Sequence, residues 1–159
     1  GKGRWLYGSW IDWEQLKNPE KAAMLEDMKR IIQIRRAHPH LIRPGKMGEK
    51  TDRFCPVDYD AEEILPIPYC YREENEVLLI AANPDEEKDV WVKLDLSQIL
   101  QPESRCRVSI LFGEAQEDEA EFVENGINLS EHKWLIRRDK TSRGGLLVLK
   151  IEEIRKGQE

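Results

Sequence analysis

No apolar run in this chain approaches the roughly 18 residues that a membrane-spanning helix requires. No signal-peptide pattern opens the sequence either, so a cytoplasmic location with no membrane partner is the expectation. Cysteine is sparse. Cys55, Cys70 and Cys106 are an odd number, widely spaced and without a CxxC pair. They fit reduced, mostly buried thiols rather than a secreted disulfide framework. Positive charge is also in deficit: 25 Lys and Arg stand against 31 Asp and Glu, for a formal net charge of −6. The nearest approaches to a basic patch are Arg35-Arg36 and Arg137-Arg138. Because phosphate neutralisation dominates nucleic-acid affinity, a nucleic-acid partner is excluded on this balance.

Chemical motifs are equally scarce. The chain has no GxSxG, no phosphate-cradling glycine loop and no HExxH. His38 and His40 flank Pro39 and His132 lies far away, so no third ligand completes a metal set. A partly positive imidazole suits the C-terminal end of a helix dipole, and that is the role expected for the pair. Asp58, Asp60, Glu62 and Glu63 lack calcium-loop spacing and its glycine, and read as a solvated turn. Asp12 and Glu14, beside tryptophans, form no acid/base pair, and Asn128-Leu129-Ser130 is a sequon that a reducing compartment would leave unused. No catalytic residue, metal ligand or cofactor site is expected.

What the chain does contain is one long helical stretch followed by short strands. Asn18-Pro19 is a helix start, with a side-chain acceptor for orphan N–H groups and a proline where the missing donor costs nothing. Ala22, Leu25, Met28 and Ile32, with Met24 and Ile31, recur at three- and four-residue spacing and predict one buried stripe. His38 before Pro39 ends the helix after roughly 19 residues, about 28 Å. Upstream, Trp5, Tyr7, Trp10 and Trp13 crowd an irregular segment broken by Gly3 and Gly8. Packing against the helix or a missing partner is preferred for them, with sugar stacking as the alternative.

Residues 42–63 read as a linker, rich in proline, glycine and charge. Ile64–Arg72, with Pro66 and Pro68, is placed at a sheet edge or bulge, and Glu76–Pro84 is a strand buried on both faces. Val90, Val92, Leu94 and Leu96 alternate with Trp91, Lys93 and Asp95 and predict a strand with one apolar face. Arg107–Gly113 is a further strand, followed by an acidic stretch read as a solvated loop or edge. Asn125-Gly126 signals a hairpin turn. Lys133–Arg138 and Gly145–Glu153 are expected to form a closing hairpin around SRGG. Seven or so short strands predict an antiparallel sandwich. The expected division is 1–45, aromatic segment and helix, and 46–159, β-domain.

The order of these features resembles the C-terminal part of the α-amylase family of glycoside hydrolases (family 13-like). There the last helix of a (β/α)8 barrel ends in a phrase matched here by Ile34, Arg35, His38, Pro39 and Leu41. Tyr71-Arg72, Glu76-Val77 and Asn83 match the opening strands of the family's all-β C-terminal domain. The resemblance spans roughly Trp10 to Ile151. It implies a Greek-key β-sandwich preceded by one long α-helix, and it puts the family's three catalytic carboxylates upstream of this chain. By implication the chain is a catalytically inert fragment of an α-glucan-active hydrolase or transglycosylase. Its expected partner is the missing upstream barrel, with an α-glucan as a second candidate. The opening GKGR, without methionine, fits a cloned fragment. An apolar helix stripe left without its barrel would fold onto the chain's own sheet or form a homodimer. An accessory carbohydrate-binding module and an unrelated sandwich interaction domain are the alternatives.

Overall fold

Asn18 opens the helix as its type and position require. Its Oδ1 accepts from the Glu20 N–H at 2.9 Å, and helix α1 runs Pro19–Ala37. A single 3-10 turn, Trp13–Lys17, precedes it. At the far end the His38 N–H donates to the Ile34 carbonyl at 3.2 Å and the ring Nδ1 lies 2.9 Å from the same oxygen. Pro39 then starts a one-turn helix, α2 (Pro39–Ile42), which buries Leu41 completely. This computed structural model describes residues 13–42, 54–113, 120–139 and 144–154.

Nine strands follow among the described residues: β1 (Phe54–Pro56), β2 (Tyr59–Ala61), β3 (Tyr69–Glu73), β4 (Glu76–Ala82), β5 (Val90–Leu94), β6 (Arg105–Phe112), β7 (Glu121–Asn125), β8 (Lys133–Ile136) and β9 (Leu146–Glu153). A short helix, α3 (Gly126–Glu131), separates β7 from β8. The strands form a six-stranded sheet in the order β1-β3-β4-β9-β6-β7 and a three-stranded sheet in the order β2-β5-β8, antiparallel throughout. The protein is mainly β with one long helix.

One buried cluster joins the two sheets. Cys70, Val77, Leu79, Val108, Leu149 and Ile151 of the larger sheet share it with Val90, Val92, Leu94, Trp134 and Ile136 of the smaller. The alternation read in Val90–Leu96 holds, because all four apolar positions are buried. On the other face of the larger sheet, Leu78, Phe112 and Val148 form a second cluster with Leu41, and Ile31 and Ile34 of α1 pack against it. The central strands β4 and β9 are thus apolar on both faces, as the unbroken run in Glu76–Pro84 requires.

Several expectations are corrected. Helix α1 has no fully buried residue. Only part of its apolar arc meets the sheet, while Met24, Met28 and Ile32 face outward at 67%, 48% and 47% exposure. The stretch read as a linker supplies β1 and β2, one strand to each sheet. Strand β3 is not an edge: its two prolines precede it, and β1 covers it on that side. Asn125-Gly126 makes no hairpin, since Gly126 begins α3. A Cβ on Gly126 would lie 2.3 Å from the Gln101 carbonyl oxygen, so close approach to the backbone, rather than turn geometry, calls for glycine here. Finally, β8 and β9 do not pair. Their connection crosses from the small sheet to the large one, because β9 is held between β4 and β6.

Candidate functional site

Part of the helix-end phrase and part of the first strands meet in one place. Leu41 sits in the outer cluster with Leu78, and Ile34 and Tyr71 pack around them. His38 caps α1, Pro39 turns the chain, and Arg35 stays exposed in the last helical turn. Arg72 lies half-buried in β3, opposite Val77. The helix is fixed to the sheet at a second point. Strand β6 carries a bulge between Ile110 and Phe112, and the Leu111 carbonyl there accepts from Arg30 Nε at 2.9 Å.

Asn83 does a different job from its neighbours. It is 1% exposed at the end of β4, and its Nδ2 donates to the Lys88 carbonyl at 2.8 Å and the Ile136 carbonyl at 3.2 Å. Its Oδ1 accepts from the Asp85 N–H at 3.1 Å. Because Ile136 belongs to β8, this one amide ties the large sheet to the small. A buried polar side chain satisfied in this way fixes the register between layers.

Beyond the helix, the outer face of the large sheet turns polar. Glu76 Oε1 accepts from Lys150 Nζ at 2.8 Å, and its Oε2 lies 2.6 Å from His40 Nε2. Lys150 lies 3.7 Å from Glu152, which is 4.0 Å from Arg107, and Arg107 is 3.3 Å from Glu121. The hydrogen bond from Lys150, with that from His40 behind it, holds the Glu76 carboxyl below its usual range, and Glu76 in turn raises Lys150.

The outer face of the small sheet is open. Trp91 in the central strand β5 is 51% exposed, opposite Leu135, and Asp60, Lys93 and Lys133 line up across the three strands beside it. They line a groove of about 910 Å³ with Glu62, Glu63, Lys88 and Asp89. Its charges are largely paired: Lys88 with Glu63 at 2.9 Å, Arg137 with Asp89 at 2.7 Å, and Lys93 with Glu131 at 2.6 Å. The Arg138 N–H and then the Arg137 guanidinium hold the Asp89 carboxyl below the usual range. The carboxyls of Glu76, Asp85, Asp95 and Glu124 are lowered too, each by hydrogen bonds it accepts. The groove thus sets paired charges beside an exposed indole.

Among the tryptophan-rich residues, Trp5, Tyr7 and Trp10 lie outside the described residues, and Trp13 is 66% exposed in the 3-10 turn. Trp91 is an exposed aromatic that the sequence reading passed over. The signal was present in the sequence, as the one tryptophan on the polar side of an alternating strand. Among the described residues no three His, Cys, Asp or Glu side chains converge on a metal position, and no helix is long and apolar enough to cross a membrane. Comparison with protein-family models, curated proteins and solved structures finds no match for this chain.

Proposed function

We propose that this chain is the non-catalytic C-terminal part of an α-amylase-like enzyme acting on α-glucans. In this reading α1 is the last barrel helix, and the β-body is a Greek-key sandwich that covers and stabilises the barrel. The observation that carries it is the incomplete cover of the apolar arc of α1. Ile31 and Ile34 pack on the chain's own sheet while Met24, Met28 and Ile32 form an exposed apolar stripe. A helix that packs against a second layer beside this sheet would bury the rest of that arc, which is costly to leave in water. The meeting of Ile34, Leu41 and Tyr71 supports the same reading, since the phrases that resemble the family form the helix–sheet junction. Reading the coding sequence upstream of Gly1 tests it. Alternating strand and helix patterns with carboxylates at strand ends are expected. An initiator methionine immediately before Gly1 would refute the proposal.

A second reading rests on Trp91: an accessory surface that binds α-glucan by stacking sugar rings on the indole. Titration with maltooligosaccharides should quench tryptophan fluorescence, and Trp91→Ala should abolish the response while Trp13→Ala leaves it. No quenching up to millimolar ligand would remove this reading.

A further inference from the structure

Cys55 and Cys70 stand directly opposite each other across the antiparallel pair β1 and β3. Residues so paired point to the same side of the sheet, here the side of the main core. Cys70 is fully buried, and Cys55 packs on the same cluster while remaining partly exposed. Opposed residues in an antiparallel pair have Cα atoms about 4.5 or 5.5 Å apart. Both separations fall within the span, about 4.4–6.8 Å, that a disulfide bridges. The third thiol is not a competitor. Cys106 lies in β6, with Glu124 and Glu153 as its cross-strand partners. Strand β1 stands to gain from a fastening, being three residues long, at the edge of the sheet, and paired only with β3.

We propose that Cys55 and Cys70 form a reversible oxidation site, closing to a cross-strand disulfide when the protein meets a small-molecule disulfide oxidant. Cys55, the partly exposed thiol, attacks as its thiolate one sulfur of the oxidant. That S–S bond breaks, one small thiolate leaves, and a mixed disulfide remains on Cys55. Cys70 then gives up its proton to solvent and its sulfur attacks the Cys55 sulfur, expelling the second small thiolate. Two protein thiols are oxidised and one oxidant disulfide is reduced to two thiols. Burial, reinforced by the neighbouring Cys55, pushes the Cys70 thiol up to about 12. The second step is therefore slow near neutrality and quickens as pH rises. Excess reductant reverses both steps.

The test uses the intact chain and oxidised glutathione, followed by alkylation under denaturing conditions, digestion and mass spectrometry. The expected product has lost about 2 Da, links the Cys55 and Cys70 peptides, and carries the alkyl group on Cys106 alone. Dithiothreitol should restore three alkylated cysteines. Cys106→Ser should leave the bridge intact, and Cys70→Ser should stop at the mixed disulfide on Cys55. If that last variant fails to fold, the closure rate of the unaltered chain between pH 7 and 9 decides. A rise of roughly tenfold per pH unit supports attack by a high-pKa resolving thiol. Closure through Cys106, or glutathione retained on Cys55 at every pH with no bridge, overturns the proposal.

Discussion

The six-stranded sheet is covered very differently on its two faces. Its inner face shares a continuous cluster with the small sheet, in which Leu79, Cys106, Val108, Leu149 and Ile151 are wholly removed from water. Its outer face offers only Leu78, Phe112 and Val148 to Leu41 and the two isoleucines of α1, and beyond them it becomes a ladder of charges. The same strands build both faces, so the difference lies in what covers them. The inner face is closed within the β-body, whereas the outer one takes its cover from α1 and α2. Stability should therefore reside between the sheets, and the helical layer should open first.

The largest expected effect follows from Leu149, fully buried between Leu79 and Ile110 in register. Leu149→Ala should cost about 2–5 kcal/mol in urea denaturation, by lost transfer energy and the cavity left behind. A cost below that of any truncation in α1 would invert the comparison. Asn83→Ala comes next. It strands the Lys88 and Ile136 carbonyls and the Asp85 N–H, and about 1–3 kcal/mol is expected for the buried groups left unpaired. Ile34→Ala should cost only about 1 kcal/mol, because the side chain is only partly buried. Its signature is local: hydrogen exchange should quicken along α1 and stay unchanged in β4 and β9. Uniform acceleration would mean that helix and sheets unfold as one.

A smaller effect sharpens the polar half of the outer face. The Glu76 carboxyl is lowered in the folded state, so its contribution is present above the ordinary carboxylate range and fades as pH falls through the lowered value. Lys150 is raised, and its share is lost only as pH rises through that raised value, above the ordinary 10.5. Glu76→Gln should flatten the acid side of the pH–stability profile and leave neutral-pH unfolding two-state. An unchanged acid limb would show that this pair adds nothing.

Much of this division was written in local sequence. Asn18-Pro19 and His38-Pro39 bracket α1 by backbone chemistry that needs no tertiary context. The alternation in Val90–Leu96 and the unbroken run in Glu76–Pro84 distinguish a one-faced strand from a two-faced one. Other features are decided by packing. Met24, Met28, Ile31, Ile32 and Ile34 cover about half the circumference of a helix, more than one sheet can bury, and nothing local says which part turns inward. Phe54–Pro56 is too short to show a period, so the strand that seals the edge was hidden among linker-like residues. At Gly126 contact with the Gln101 backbone overrides the turn preference of Asn-Gly. The tryptophan density upstream of α1 drew attention away from Trp91, whose exposed indole has no aromatic neighbours in sequence to announce it.

The smallest stability effect is also the one that separates a helix finished by its own sheet from a helix awaiting a partner. Met28 is 48% exposed, in line with Met24 and Ile32 on the outward side of α1. Met28→Glu should therefore leave monomer unfolding within about 0.5 kcal/mol of the unaltered chain. Association is where the stripe should register, because apolar area exposed on the monomer is recovered when two copies, or the helix and a barrel, meet. Sedimentation of the chain over a hundredfold concentration range should show reversible self-association that the Met28→Glu variant loses. A chain that stays monomeric across that range, with the variant indistinguishable from it, would leave the outward stripe as ordinary surface and remove the main physical support for a missing barrel.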